Sequence, residues 1–500
     1  MSTAPIATVP NGAATPVPLA GAELHETHTG MVILVGDRAF KVKKPILTDF
    51  LDFRSVEARE RVCAQEVLLN SRLAPDSYLG VGHFSAPHDG ADEPVIVMRR
   101  YPDDRRLTSL IGRVEPVERH VSAIAELLAR FHAEARRSRA VDADARVAVL
   151  SERWNENLDV LEHYAPSIIS GPQLTEVRRL ARQYLAGRSA LFADRISERR
   201  IVDGHGDLIA DDIYCMPDGP VLLDCLEFDD RLRHVDGMDD AAFLAMDLEY
   251  LGRADLAEHF LNEYRRLAND PAPESLAHFY VGYRAVVRAK VDCIKVDQGS
   301  AAAAGDARRH LELAAEHLRA ATVRLVIVGG GPGSGKTTLA RELAGRIGGV
   351  VLSTDDMRYE LVQSGELSGE PGKFGTGLYD PDNVALVYDA VLRRAASLLG
   401  NGQSVILDGT WRDARQLQRA RAVAAEHRCP TVELACTLDI RQAVERIGRR
   451  GAATHSQATA EIAESMHADE PPWANAHHID TSRPLGDSVD EAATLCCLAI

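Results

Sequence analysis

The stretch Val323-Arg-Leu-Val-Ile-Val-Gly-Gly-Gly-Pro-Gly-Ser-Gly-Lys-Thr337 decides how this chain is read. Its first six residues form a short apolar run of the kind that makes a buried strand. Gly330, Gly331, Pro332, Gly333, Ser334, Gly335, Lys336 and Thr337 then follow the order Gly, four residues, Gly-Lys-Thr, and Thr338 continues it into a predicted helix. Glycines let backbone N–H groups curl around phosphate oxygens, and a helix N-terminus adds the positive end of its dipole. In such a loop the lysine, Lys336, reaches the β and γ phosphates of ATP, and the Thr337 hydroxyl binds Mg2+.

Working outward, strands and helices alternate: 323–328, a helix from Lys336, Gly349–Leu352, a helix, Ser404–Leu407, a helix, Thr431–Ala435, a helix. Alternation of this kind predicts an α/β P-loop NTPase domain, a parallel sheet with helices on both faces. Ligands bind such sheets at the strand ends. After the second strand stands Ser353-Thr-Asp-Asp-Met-Arg358, where Asp355 can take the proton of an attacking hydroxyl and Arg358 can hold an anion. Asp355 at a helix start is equally suited to capping, and it could do both. Val405-Ile-Leu-Asp408 ends the third strand in a carboxylate that can hold magnesium through water. Arg441, Arg446, Arg449 and Arg450 lie on one helix and its end. They read either as a lid over the transferring phosphoryl group or as a solvated basic helix end.

The earlier part of the chain carries a second pattern. Met31–Val35 and Arg38–Lys43 read as two strands around a Gly36-Asp37 turn, residues 55–74 as a helix, and 94–98 as a strand. Helical spacing runs from 115 to about 191, a β-rich insert from 201 to 228, and helices again from about 239 to 321. Thus a small β-rich lobe precedes a mostly helical one, and the segment 301–321 predicts a helical junction into the strand at 323. Within the insert, His205-Gly-Asp207 is followed by a short hairpin and by Val221-Leu-Leu-Asp224, the layout of kinase catalytic and metal-binding loops. Asp207 would accept the hydroxyl proton, Asp224 would coordinate magnesium, and His205 would hold the loop. Upstream, Ala39-Phe-Lys41 resembles the strand whose lysine binds the α and β phosphates. Lys43 lies on the same face by the period of two and is the alternative for that role, and Glu66 is placed to pair with the phosphate-binding lysine.

The last 180 or so residues resemble the small-molecule P-loop kinases, the gluconate kinase, polynucleotide kinase and zeta-toxin-like group. The part before resembles the aminoglycoside phosphotransferase-like kinases, whose fold is a protein-kinase-like bilobal domain. The segments Ala39–Pro45, Glu66–Asn70, His205–Leu208, Leu223–Asp230 and Arg284–Lys290 carry that likeness. Over nearly its whole length, the chain resembles bacterial two-domain proteins that fuse the two kinds of kinase. That resemblance implies a tail over 1–21, a first domain over 22–320 and a second over 323–500. It implies ATP-dependent transfer to a small hydroxylated metabolite, without naming the metabolite. The sequence departs from the first family twice. Asp212 stands where the family places an asparagine magnesium ligand. Only Gly30 and Gly36 are available for a phosphate-covering loop near residues 27–35. The first domain is therefore read either as a second kinase or as a nucleotide- or ligand-sensing regulator of the P-loop domain.

Composition agrees with small-molecule chemistry. A net charge of −17, with no basic half, argues against a nucleic-acid partner. No stretch is long and apolar enough to span a membrane. The eight scattered cysteines show no zinc-site spacing and suit a cytoplasmic protein with reduced thiols.

Overall fold

A computed structural model describes residues 22–26, 30–47, 52–85, 92–370, 375–449, 459–468 and 473–499. The expected tail over 1–21 and Arg450 lie outside the described residues. Contacts gather the chain into two compact units, Met1–Leu127 with His205–Leu232, and Leu128–Gly204 with Arg233–Ile500.

The first unit is built on a five-stranded antiparallel sheet in the order Glu23–Glu26, Gly30–Val35, Arg38–Lys43, Glu93–Arg99, Tyr78–Phe84. Gly36, at φ 59°, closes the tight turn between the second and third strands. Ser55 starts the helix Val56–Asn70 by accepting the Ala58 N–H at 3.1 Å. That helix packs on the sheet through Cys63, against Ile96, Met98 and Tyr78. The hairpin Ile213–Met216 with Gly219–Leu222 completes the unit and leads into Asp224.

The second unit joins a helical region to a parallel sheet. Its five strands run in the order Gly349–Ser353, Ser404–Asp408, Leu325–Gly329, Thr431–Thr437, His477–Asp480. Alternate strand residues serve opposite faces. Val326, Val328, Ile406 and Leu434 pack with Leu339 and Leu343 of the helix Lys336–Ile347 and with Val489 and Cys496 of the helix Leu485–Leu498. Leu325, Ile327, Val405 and Leu407 are fully buried on the other face, where the helix Pro381–Gly400 packs against Ser404–Asp408. Each of these aliphatic side chains stabilises the fold by roughly 1.5–3 kcal/mol on burial.

The expected division at 320–323 falls inside this unit. The helix Ala303–Ala320 leads almost directly into Leu325–Gly329, as the helical junction requires. The α/β part is also tied to earlier helices. The buried Arg188 guanidinium donates to the His427 carbonyl at 2.9 Å and to Cys429 Sγ at 3.1 Å, and Ser275 Oγ donates to the Gly402 carbonyl at 2.6 Å. All eight cysteines are free thiols. Among the described residues, no helix is long and apolar enough to cross a membrane.

Candidate active sites

Between the strand ending at Gly329 and the helix starting at Lys336, the chain needs left-handed backbone at Gly330, Gly333 and Gly335 (φ 141°, 81° and 86°). A Cβ on Gly333 would sit 2.5 Å from the Ala443 carbonyl oxygen, whereas one on Gly331 would meet nothing within 4 Å. The loop is thus packed on one side and open at Gly331. Lys336 Nζ folds back to within 3.5 Å of the Gly331 carbonyl. Thr337 Oγ1 donates to Asp408 Oδ2 at 2.8 Å. Asp408 is 1% exposed, and its other oxygen, like Ser334 Oγ, is buried without a hydrogen-bond partner among the described residues. Burial pushes the Asp408 carboxyl above its usual range, against the pull of Lys336 and the Thr337 bond. A buried acceptor and a buried hydroxyl left unmatched beside a left-handed glycine loop are what a magnesium–phosphate group would complete, so these residues fit that group.

A pocket of about 700 Å3 opens beside the loop, touching it at Pro332 and Lys336. Its wall includes Thr354, Asp355, Arg358, Tyr379, Tyr388, Thr410, Arg412, Asp413, Arg415 and Arg419. The helix Thr354–Gln363 is capped by Ser353, whose hydroxyl accepts the Asp355 N–H at 3.3 Å. The capping alternative for Asp355 is thereby corrected: Ser353 reaches the N–H, and the Asp355 carboxylate is left to the pocket. There its Oδ1 accepts from Arg358 Nη1 at 2.8 Å, and the Arg358 guanidinium lies 4.5 Å over the Tyr379 ring. Of the predicted lid, Arg446 lies against the loop: its Nη2 donates to the Thr481 carbonyl at 2.8 Å, and its Nη1 is 3.2 Å from where a Gly335 Cβ would be. Arg449 is exposed and paired with Glu445 one turn back. Thr338 is exposed on the first helical turn.

In the first unit, Lys41 and Lys43 lie on one face of their strand, and both reach Glu66, at 2.8 and 2.6 Å. Lys41 also pairs with Asp224, and Lys43 with Glu227 at 2.5 Å. Glu66 is fully buried and Lys43 is 2% exposed. Burial works against the charge on both lysines, but the carboxylates around them outweigh it and raise both above the ordinary lysine range. Burial likewise opposes the Asp224 charge, and Lys41 overrides it, holding that carboxyl below its usual value. Asp224 stands at φ 64°, rare for a residue with a side chain, and its N–H reaches the Tyr78 hydroxyl at 3.2 Å. His205 is fully buried; its Nε2 lies 3.0 Å from the Leu223 carbonyl and its Nδ1 3.3 Å from the Asp207 N–H. It therefore bridges the loops bearing Asp207 and Asp224. Burial, together with Asp224, Asp207 and Asp211, pushes the Asp212 carboxyl well above its usual range. Asp211 turns to Arg106 and Thr108, at 3.2 and 3.0 Å.

Among the described residues, no group of three or more His, Cys, Asp or Glu side chains is gathered closely enough to hold a metal. Magnesium asks for less, since one or two carboxylates with water and phosphate oxygens satisfy it. Asp212 and Asp224 beside Lys41 fit such a partial set. The residues 27–29, where a phosphate-covering turn was sought, lie outside the described residues.

Glu227, Tyr379 and Arg412 belong to these sites and were not singled out from the sequence. Glu227 stands three residues after Asp224, but nothing in that spacing marks it. Arg412 follows the Asp408 strand by four residues, a position where α/β sheets bind ligands, and that was the signal available.

The AAA domain family profile matches residues 325–472. The structure of a gluconokinase from Sinorhizobium meliloti 1021 aligns at 17% identity over 35% of this chain and 93% of its own, with a TM-score of 0.27. That of a choline/ethanolamine kinase family protein from Mesorhizobium loti aligns at 14% identity over 62% of this chain and 96% of its own, with a TM-score of 0.37. A full-length relative, "Uncharacterized protein Rv2004c" of Mycobacterium tuberculosis, is 51% identical over 470 residues, 94% of either chain. At that identity and coverage, the chain belongs to the same family as this mycobacterial protein.

Proposed function

We propose that the protein is an ATP-dependent phosphotransferase acting on a small hydroxylated metabolite, with a kinase site in the P-loop domain over 323–500 and a second in the aminoglycoside phosphotransferase-like domain over 22–320. The observation that carries the reading is the loop Gly330–Thr337 with Thr337 bonded to the buried Asp408 at 2.8 Å. Magnesium at Thr337 and Asp408 would neutralise charge on the β and γ phosphates. Lys336 would hold those phosphates, and Arg446, already against the loop, would offset charge developing on the transferred group. Asp355 would take the acceptor's proton. In the other site Lys41, aligned by Glu66, would hold phosphate, Asp207 would be the base, and Asp212 and Asp224 would be the metal ligands.

The test is nucleotide binding by the full chain, with two sites expected. Lys336→Ala should remove one Mg-ATP site and leave the other, and an unchanged binding isotherm refutes the P-loop assignment. A second reading, in which the first domain senses nucleotide or ligand without turnover, is favoured by Asp212, a half-buried acid among other acids where the related kinases have a neutral amide. Asp207→Ala separates the two readings: a regulator would keep every phosphorylated product. The expected setting is cytoplasmic.

A further inference from the structure

A second cleft, of about 480 Å3, lies in the helical region of the second unit and shares no lining residue with the pocket beside the P-loop. Cavities of roughly 300–1,000 Å3 are of the size that takes a small metabolite. Apolar Ala129, Val202 and Leu267 line it together with three arginines, Arg137, Arg199 and Arg200. Two of the arginines have a structural duty. Arg137 donates to the carbonyls of His132, Ala133 and Ala135, at 2.6, 3.1 and 2.9 Å, where the helix Glu118–Glu134 ends. Arg200 donates to the carbonyls of Ala268 and Asn269, at 3.2 and 2.9 Å, just past the helix Ala254–Leu267. Helix C-termini attract cations, so capping accounts for where these two guanidiniums stand.

Capping does not account for their crowding. Arg137 Nε also donates to the Arg199 carbonyl at 2.9 Å, which ties the two arginine-bearing segments together. Burial, then Arg199 and more weakly Arg200, lower Arg137 from the ordinary arginine range. The acids of the lining do not balance this charge. Asp270 is buried, and its oxygens accept from Arg195 at 2.7 Å and from the Ala272 N–H at 2.9 Å. Arg195 is shared with Asp236, so Arg200 offsets part of that group's charge. Glu198 stands 3.6 Å from Arg200 Nε, beyond hydrogen-bond reach. That Nε is buried with no hydrogen-bond partner among the described residues, and the exposed Arg199 side chain has no ion pair or hydrogen bond among them. A charged donor buried and unmatched is costly, and an oxyanion would satisfy it.

We propose that this cleft is a binding site for a small phosphorylated metabolite, with its phosphate held by Arg137, Arg199 and Arg200 and its carbon part against Val202 and Leu267. A phosphate ester has three terminal oxygens to share among several guanidiniums, whereas one arginine satisfies a carboxylate by itself. The ligand would also steady the strand that begins at Ile201. The Arg200 carbonyl already accepts the Gly237 N–H at 3.0 Å, where Ile201–Asp203 pairs with His234–Asp236. The site is independent of the kinase reading.

The experiment titrates the full chain, with Mg-ADP at saturation to occupy nucleotide sites, with glycerol 3-phosphate, inorganic phosphate and citrate as probes. Calorimetry reads affinity, and hydrogen exchange on peptides covering 129–138, 197–203 and 264–270 reads location. Glycerol 3-phosphate should bind and slow exchange in those peptides, and inorganic phosphate should bind there more weakly because it leaves the apolar wall bare. Arg199→Gln and Arg200→Gln should each weaken the ester about tenfold, and Arg199→Lys should recover part of the loss. If Arg200→Gln fails to fold, judged by exchange over the whole chain, the exposed Arg199 decides alone. No slowing in these peptides with either phosphate probe at millimolar concentration overturns the site, as does slowing that Arg199→Gln leaves unchanged. Citrate binding more tightly than the ester overturns the phosphate assignment, and inorganic phosphate binding as tightly as the ester overturns the metabolite assignment.

Discussion

Two lysines share one buried glutamate in the first unit, and the geometry assigns them different work. Lys43 is closed in by Glu66 at 2.6 Å and Glu227 at 2.5 Å, with side-chain exposures of 1%, 0% and 10%. Lys43→Met removes the ammonium that pairs with Glu227 and leaves that carboxylate beside the buried Glu66, which keeps Lys41. Breaking a buried pair in this way costs about 3–5 kcal/mol. Lys41→Met is milder, because Glu66 keeps Lys43 and the Lys41 head is partly open to solvent. About 1–2 kcal/mol is expected there, with loss of the proposed nucleotide contact as the main effect. The sign of the pH dependence gives an independent check. Burial, and then Glu66, already raise the Glu227 carboxyl above its usual range. An acid whose folded pKa is raised binds more protons folded than unfolded, so stability falls as pH rises from the unfolded value through the folded one. Without Lys43 that raise grows. The Lys43→Met deficit should therefore be largest at pH 8 and shrink toward pH 5. Hydrogen exchange of the full chain, read on peptides covering Arg38–Lys43 and Val56–Asn70, measures the local opening free energy. A deficit below about 1 kcal/mol at pH 8, or one that grows on acidification, refutes the assignment of Lys43 as a buried structural charge.

Three other perturbations test the sites and the frame around them. Asp207→Ala should silence one class of phosphorylated product and Asp355→Ala another, each by a factor of about 100 to 10,000; product profiles that lose everything with either variant contradict two independent sites. Asp212→Asn removes one acid from a crowded acidic group and should raise the opening free energy of the hairpin Ile213–Met216 with Gly219–Leu222 while keeping magnesium-dependent nucleotide binding; lower protection by hydrogen exchange contradicts this. In the second unit, burial, and then His317 at 3.0 Å, lower His278 to about 4. A base with a depressed folded pKa contributes stability that is present above its unfolded value near 6.5 and lost as pH falls toward about 4, here on the order of 3 kcal/mol. The His278→Gln variant should therefore lose less stability than wild type over that range, and identical pH profiles in chemical denaturation would falsify the argument.

What could be read from sequence divides by the range of the interactions. The P-loop, its strand and its helix are local: a glycine's backbone freedom, an apolar run and a helix start all act within a few residues, and Gly330–Thr337 folds as the pattern requires. The period of two put Lys41 and Lys43 on one face, but it could not say which lysine meets Asp224 and which meets Glu227. That choice is made by chain segments more than 180 residues apart. Strands without a strong pattern were missed for a similar reason. Glu23–Glu26 and His477–Asp480 are edge strands with mostly exposed residues, and they exist because a neighbour offers a ladder. The lid shows the limit from the other direction. Arg446 and Arg449 look alike in sequence, three residues apart on one helix and its end. Yet one rests on the loop and the Thr481 carbonyl, while the other meets Glu445 in solvent. A guanidinium becomes part of a site only when something fixed is opposite it. For Arg446 that partner comes from the strand-end segment at Thr481, and for Arg358 it comes from Tyr379 and Asp355. The same reasoning makes Arg412 the more informative residue of the pocket. Its Nη1 donates to the Met466 carbonyl at 2.5 Å beside the left-handed backbone of Trp411, and both are tertiary properties that no spacing rule records.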